Sequence, residues 1–145
     1  MIMTVIKVSL KDISGFIKTH TLAVVATVNV DGKPQAAVVE FGEMEDLTII
    51  IDTLKTSRKY KNLQSNSNVA IVIGWDNDKT VQMDAIATEL KGGQLKKAQE
   101  AYFEKNPRAK KWANRSDIAY FACKPNWIRY SDVNERPWLI EEFSL

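Results

Sequence analysis

Short β-rich runs divided by turn residues dominate this chain, and they confine it to a sheet built largely from hairpins. Leu22–Val28 is the first run, and Asp31-Gly32 after it is a strong tight-turn signal. Gln35–Phe41 returns, with Pro34 at the strand entrance, where a missing N–H is tolerated. A polar turn over Glu43–Asp46 precedes a third run, Leu47–Thr53. Val69–Trp75, a turn at Asp76–Asp78 and the long Thr80–Leu90 form the next pair. Ile118–Cys123 and Trp127–Ser131 read as two strands flanking Pro125, with Arg136–Phe143 as a last edge strand.

Helical spacing interrupts this pattern. Ser9 and Asp12 form a capping box, and Ile13, Phe16 and Ile17 then repeat on one face, which predicts a helix over Leu10–Thr19. Ser57–Gln64 reads as a second helix with Tyr60 and Leu63 facing inward. Gly92-Gly93 ends the fifth strand, and Leu95, Ala98, Tyr102 and Phe103 mark a third helix that stops before Pro107. A short helix is expected over Pro107–Trp112. So many antiparallel strands in 145 residues favour a closed barrel, which removes exposed edges. The expectation is one α+β domain spanning residues 1–145, a barrel decorated by helices.

A net charge of +2 gives no general pull toward nucleic acid or anionic lipid. No segment approaches the ~20 apolar residues of a membrane span, and Met1–Leu10 lacks the apolar stretch of a signal peptide. The single cysteine, Cys123, lies in an apolar run and reads as a core residue. These features suggest the cytoplasm.

Metal-ligand spacing, a nucleophile elbow, a P-loop and a Rossmann glycine fingerprint are all missing from the sequence. His20, the one histidine, falls between a helix end and a strand and reads as a loop or cap residue. The dense polar constellation is Thr53-Leu54-Lys55-Thr56-Ser57-Arg58-Lys59, at the exit of a strand and the entrance of a helix. The first turn of a helix presents N–H groups without internal acceptors and carries partial positive charge, so hydroxyls and cations there suit an anion. Arg58 offers a bidentate grip, Lys59 a point charge, and Thr53 and Ser57 hydroxyl donors. Physics alone leaves this open, since an N-cap followed by solvated basic residues fits equally well. A second basic cluster, Lys105, Arg108, Lys110, Lys111 and Arg115, reads as a solvated helix face. Trp75, Trp112, Trp127 and Trp138 read as core or dimer packing.

The ordered set of motifs resembles the pyridoxamine 5'-phosphate oxidase-like family, the FMN-binding split barrels. The hairpin Leu22–Pro34 opens the match, and Thr53 followed by Ser57-Arg58-Lys59 fits the family's phosphate motif. Asn62-Leu63, Asn68-Val69-Ala70, Thr80–Ala87 and Pro125–Tyr130 resemble the elements that follow. The resemblance implies a six-stranded antiparallel split barrel with flanking helices, forming a homodimer with two FMN sites at its interface. It implies Arg58 and Lys59 on the FMN phosphate with Thr53 and Ser57 assisting, and Asp52 beside them in the cofactor set. The backbone of Val38 and Val39 would approach the flavin ring, and Thr80 falls where a residue near the flavin is expected. The implied function is that of an oxidoreductase acting on a small molecule, with no nameable side-chain acid or base. The rivals are a non-catalytic flavin-binding or sensor protein and a deazaflavin-dependent reductase on the same fold.

The departures are specific. Ala37 and Asn106 stand where the true oxidases carry arginines, Ser131 replaces a tryptophan near the flavin, and no histidine follows His20. Tyr102 does match a tyrosine that meets the substrate phosphate. These differences point away from pyridoxamine phosphate oxidation itself and toward the short general-stress-protein or related FMN-binding branch.

Overall fold

The computed structural model describes residues 7–145; Met1–Ile6, part of the N-terminal segment read for a leader, lie outside them. The elements in order are α1 (Leu10–Lys18), β1 (Leu22–Val28), β2 (Pro34–Glu40), β3 (Gly42–Glu43), β4 (Ile49–Leu54), α2 (Arg58–Ser65), β5 (Asn68–Ile73), β6 (Lys79–Glu89), α3 (Gly92–Lys105), a 3-10 turn (Pro107–Trp112), β7 (Ile118–Asp132) and β8 (Leu139–Ser144). Eight strands among the described residues replace the six expected, because Gly42–Glu43 and Leu139–Ser144 both join the sheet.

The strands run in the order β2-β1-β5-β6-β7-β4-β3, all antiparallel, with β8 added on β7. β2 and β3 are consecutive in the chain, separated only by Phe41, yet they stand at opposite ends of that order. The sheet therefore curls round on itself. It is drawn together at the buried Phe41, and β2 and β4 face each other without a ladder between them. That gap is the split of the barrel.

Helix α1 begins as its capping box dictates. The Ser9 hydroxyl accepts from the Asp12 N–H, and the Asp12 carboxylate accepts from the Ser9 N–H. Its Ile13 and Ile17 join Val25, Ile49, Ile51, Ile71, Ile73, Met83 and Ile128 in the barrel interior. Each such side chain contributes about 1.5–3 kcal/mol by leaving water. Alternation along β4 sends Ile49 and Ile51 inward and Ile50 outward. Ile50 there joins a second cluster with Ala98, Tyr102, Ala109 and Tyr120 beneath α3. α3 lies close on β3 because residue 42 is glycine: a Cβ there would fall 2.7 Å from the Tyr102 Cα.

Two sequence expectations change. Ile118–Cys123 and Trp127–Ser131 are halves of one 15-residue strand. Asp84 pairs with Trp127 and Ala85 with Pro125, so Asn126 bulges out and the ladder absorbs the proline. Gly92-Gly93 opens α3 rather than merely ending β6, with Gly92 in the left-handed region at φ 64°.

Candidate functional site

Chain direction brings β4 to the split and α2 back across it. Thr53, near the end of β4, is 7% exposed, and its hydroxyl lies 2.7 Å from that of Ser57. Ser57 caps α2 and accepts from the Tyr60 N–H at 3.1 Å. The N–H groups of Arg58 and Lys59, the first two helical positions, have no acceptor inside the helix. The segment is thus a capped helix whose first turn also gathers a cluster of donors.

A cleft of about 200 Å³ lies against this turn. Ser57, Arg58 and Lys59 form one wall and Gln35, Ala36 and Ala37 of β2 the other, with Val25 and Thr27 of β1 behind. β2 is an edge strand, so it also offers unpaired backbone groups along the split. The buried Asn62 of α2 spans the cleft's base, its amide donating to the Thr27 hydroxyl and the Gln35 side-chain oxygen, both at 2.9 Å.

Asp52 stands on the opposite face of β4 from Thr53, where it accepts from the Tyr102 hydroxyl at 3.1 Å. Burial raises its carboxyl above the ordinary value, against the pull of Tyr102 and the Lys59 charge. Lys59 is depressed in turn, because burial penalises its ammonium more than Asp52 favours it. The Tyr102 hydroxyl is pushed far up by burial and by Asp52. The neighbouring Tyr120 hydroxyl is buried with no hydrogen-bond partner among the described residues. The cleft thus offers a desolvated lysine, an exposed arginine, hydroxyls and free N–H groups, a donor set that fits a phosphate monoester.

Other expected site residues lie elsewhere. Val38 and Val39 follow the cleft residues along β2, with Val38 61% exposed. Thr80 opens β6 opposite Ser131, whereas the far end of that strand meets α2 through the Tyr60 hydroxyl bond to Glu89. Nine residue steps of strand separate the two, about 30 Å along the chain, and Thr80 is not among the residues that line the cleft of one protomer. Tyr102, matched to a substrate-phosphate tyrosine, is 1% exposed and committed to Asp52. Asn106 is likewise structural: it ends α3 and donates to the Phe41 carbonyl at 2.7 Å and the Tyr102 carbonyl at 3.1 Å. The sequence reading missed Gln35 in the cleft and Asn62 as its brace. Their signal, a polar residue on an otherwise apolar strand and one on an inward helix face, was present but unspecific.

The remaining candidates resolve simply. His20 is a cap residue, its Nδ1 2.8 Å from the Phe16 carbonyl oxygen. Cys123 is fully buried, and burial pushes its thiol up to about 12. Arg108, Lys110, Lys111 and Arg115 are solvated as expected, but Lys105 turns inward to pair with Glu43 and lies 4.0 Å over the Phe41 ring. Trp75, Trp112 and Trp138 are exposed, so core packing does not account for them.

Fold and cleft together define a split barrel with a donor-lined turn at the start of α2. The family model described as pyridoxamine 5'-phosphate oxidase matches residues 10–132, and the chain belongs to that family. No curated protein matches it by sequence. A haem-binding protein from Mycobacterium smegmatis superposes with a TM-score of 0.81 at 18% identity, over 97% of this chain and 60% of that one. General Stress Protein 26 from Bacillus anthracis gives 0.73 at 22% identity, over 93% of this chain and 97% of that one. HutZ, the haem storage protein from Vibrio cholerae, gives 0.65 at 17%, over 83% and 91%. The chain spans only about half to three-fifths of the length of the longer proteins among these likenesses. At such identities the likeness establishes the fold and nothing finer. No helix among the described residues is long and apolar enough to cross a membrane.

Proposed function

We propose that the chain binds FMN with its phosphate at the N-terminus of α2, and that it is a flavoprotein oxidoreductase acting on a small molecule. The observation that carries this is the cleft itself: Ser57, Arg58 and Lys59 face the open edge strand β2 across a space of about 200 Å³. In this reading Arg58 and Lys59 neutralise the phosphate, the Ser57 hydroxyl and the first N–H groups of α2 orient it, and Thr53 fixes Ser57. Asp52 favours the Lys59 charge from the other face of β4, against the effect of burial. Bound flavin supplies the electron transfer, while the protein supplies binding, orientation and electrostatics.

Val38 and Val39 carry the cleft wall onward, and their backbone is the surface offered to the flavin ring. Thr80 joins the site only through a second copy of the chain. A homodimer is supported by the outward face of the sheet. There Ala36, Ala26 and Ala70 form one cross-strand row and Val38, Val24 and Val72 the next, an apolar surface left exposed or part-exposed among the described residues.

Haem is the second reading, favoured by the haem-binding and haem-storage proteins that share the fold. Against it, His20 is engaged at Nδ1 by Phe16 and faces Asp76 at 3.8 Å through Nε2. The test is equilibrium titration of the purified protein with FMN, riboflavin, a deazaflavin coenzyme and haem. FMN should bind best, and Arg58→Gln should weaken it more than Arg108→Gln. Equal effects of the two changes, or tighter binding of haem or deazaflavin, would count against this reading. Reduction of bound FMN by a nicotinamide donor separates an oxidoreductase from a flavin store or sensor.

A further inference from the structure

The wall of the cleft opposite α2 is short of donors. Ala37, on the same strand face as Gln35, contributes a methyl group, and the polar side chain on that strand segment is Gln35. Gln35 is half-buried, and its position is held from below. The Asn62 amide, on a residue 5% exposed, meets two acceptors at 2.9 Å, the Thr27 hydroxyl and the Gln35 carbonyl oxygen. Thr27 is itself only 2% exposed, so this brace sits in the barrel wall rather than in solvent. With its oxygen occupied by Asn62, Gln35 has two N–H donors left, and these have no acceptor among the described residues. Both Gln35 and the cationic turn of α2 line the same cleft of about 200 Å³.

We propose that Gln35 is a phosphate-binding residue of this cleft, its amide N–H groups donating to the phosphate oxygens opposite Arg58 and Lys59. This rests on the reading of the cleft as a phosphate site and adds a neutral donor from the β2 side. A braced amide loses little side-chain freedom on binding, because Asn62 already fixes it. Asn62 is the corresponding positioning residue: it touches no ligand but sets which end of the Gln35 amide faces the cleft.

The test compares FMN and riboflavin, which differ by the phosphate, on the full chain and on Gln35→Met, Gln35→Glu and Arg58→Met. Gln35→Met removes the donors, and a hydrogen bond to a charged group is worth enough that FMN should bind about tenfold more weakly. Gln35→Glu keeps an acceptor for Asn62 and turns the cleft side into a carboxylate, so it should weaken FMN further while leaving the melting midpoint near wild type. Riboflavin affinity should move with neither. If Gln35→Met fails to fold, Gln35→Glu decides alone. If Arg58→Met weakens FMN while both Gln35 variants bind it as wild type, the site stands and the role of Gln35 is overturned. Equal losses for FMN and riboflavin, or tighter FMN binding by Gln35→Met, overturn it as well. Failure of the wild-type protein to bind FMN overturns the site and Gln35 together.

Discussion

Lys59→Met should weaken FMN binding and at the same time leave the folded protein no less stable at neutral pH. The ammonium of Lys59 is half-buried between the cleft and Asp52, and burial depresses its pKa despite the Asp52 charge. A lysine depressed on folding binds protons less readily folded than unfolded, so its charge costs stability at neutral pH. That cost is absent above the unfolded value of 10.5 and is fully present once pH has fallen through the folded value. Methionine removes the cost. For the ligand the same desolvation acts in the opposite direction. Two unit charges ~4 Å apart attract by about 4 kcal/mol in a partly buried site and about 1 kcal/mol in open water. Net of desolvation, a charged hydrogen bond retains about 1.5–3 kcal/mol, or about 10- to 150-fold in affinity. Arg58 is exposed and sits nearer the aqueous limit, so Arg58→Met should cost only about fivefold. Fluorescence titration with FMN gives the affinities. Thermal melts of wild type and Lys59→Met between neutral pH and pH ~10.5 give the stability difference, which should shrink as pH rises. A variant that is less stable at neutral pH and binds FMN normally would refute the reasoning, because Lys59 would then be structural.

The remaining predictions address the frame around the cleft. Val38→Asp places a charge on the apolar outer rows and should convert the proposed dimer to monomers in sedimentation. Asn106→Ala leaves the buried Phe41 carbonyl without its donor and should cost about 1–3 kcal/mol in denaturant melts, with FMN affinity unchanged. Ala37→Arg adds a cation to the β2 wall and should tighten FMN but not riboflavin in the same titration. Cys123, fully buried with its thiol at about 12, should resist thiol reagents at mildly alkaline pH until the protein is unfolded.

Local rules made most elements legible. The Ser9–Asp12 box and the Asp31-Gly32 turn are short-range devices, and both appear as read. The joining of two strand segments into β7 was not legible, because proline tolerance depends on a bulge that exists only once β6 is paired beside it. The donor-lined turn at the start of α2 was visible as a cluster of residue types between a strand and a helix. Its opposite wall was not, since Gln35 reaches it through the β1–β2 register and Asn62 reaches Thr27 across 35 residues. Lys105 shows the same limit: in sequence it belongs to a basic run, and in the fold it pairs with Glu43. Tyr102 matched a tyrosine expected to meet substrate, yet here it holds α3 to β4, and Asn106, a departure from the expected arginine, holds Phe41. Residue identity at a matched position does not fix which way the side chain turns.

The most direct test of the central claim is a crystal structure of the protein grown with FMN. The account predicts density for the phosphate in the cleft between α2 and β2, within hydrogen-bond reach of Ser57, Arg58 and Lys59. A phosphate bound elsewhere, with that cleft filled only by water, would contradict it.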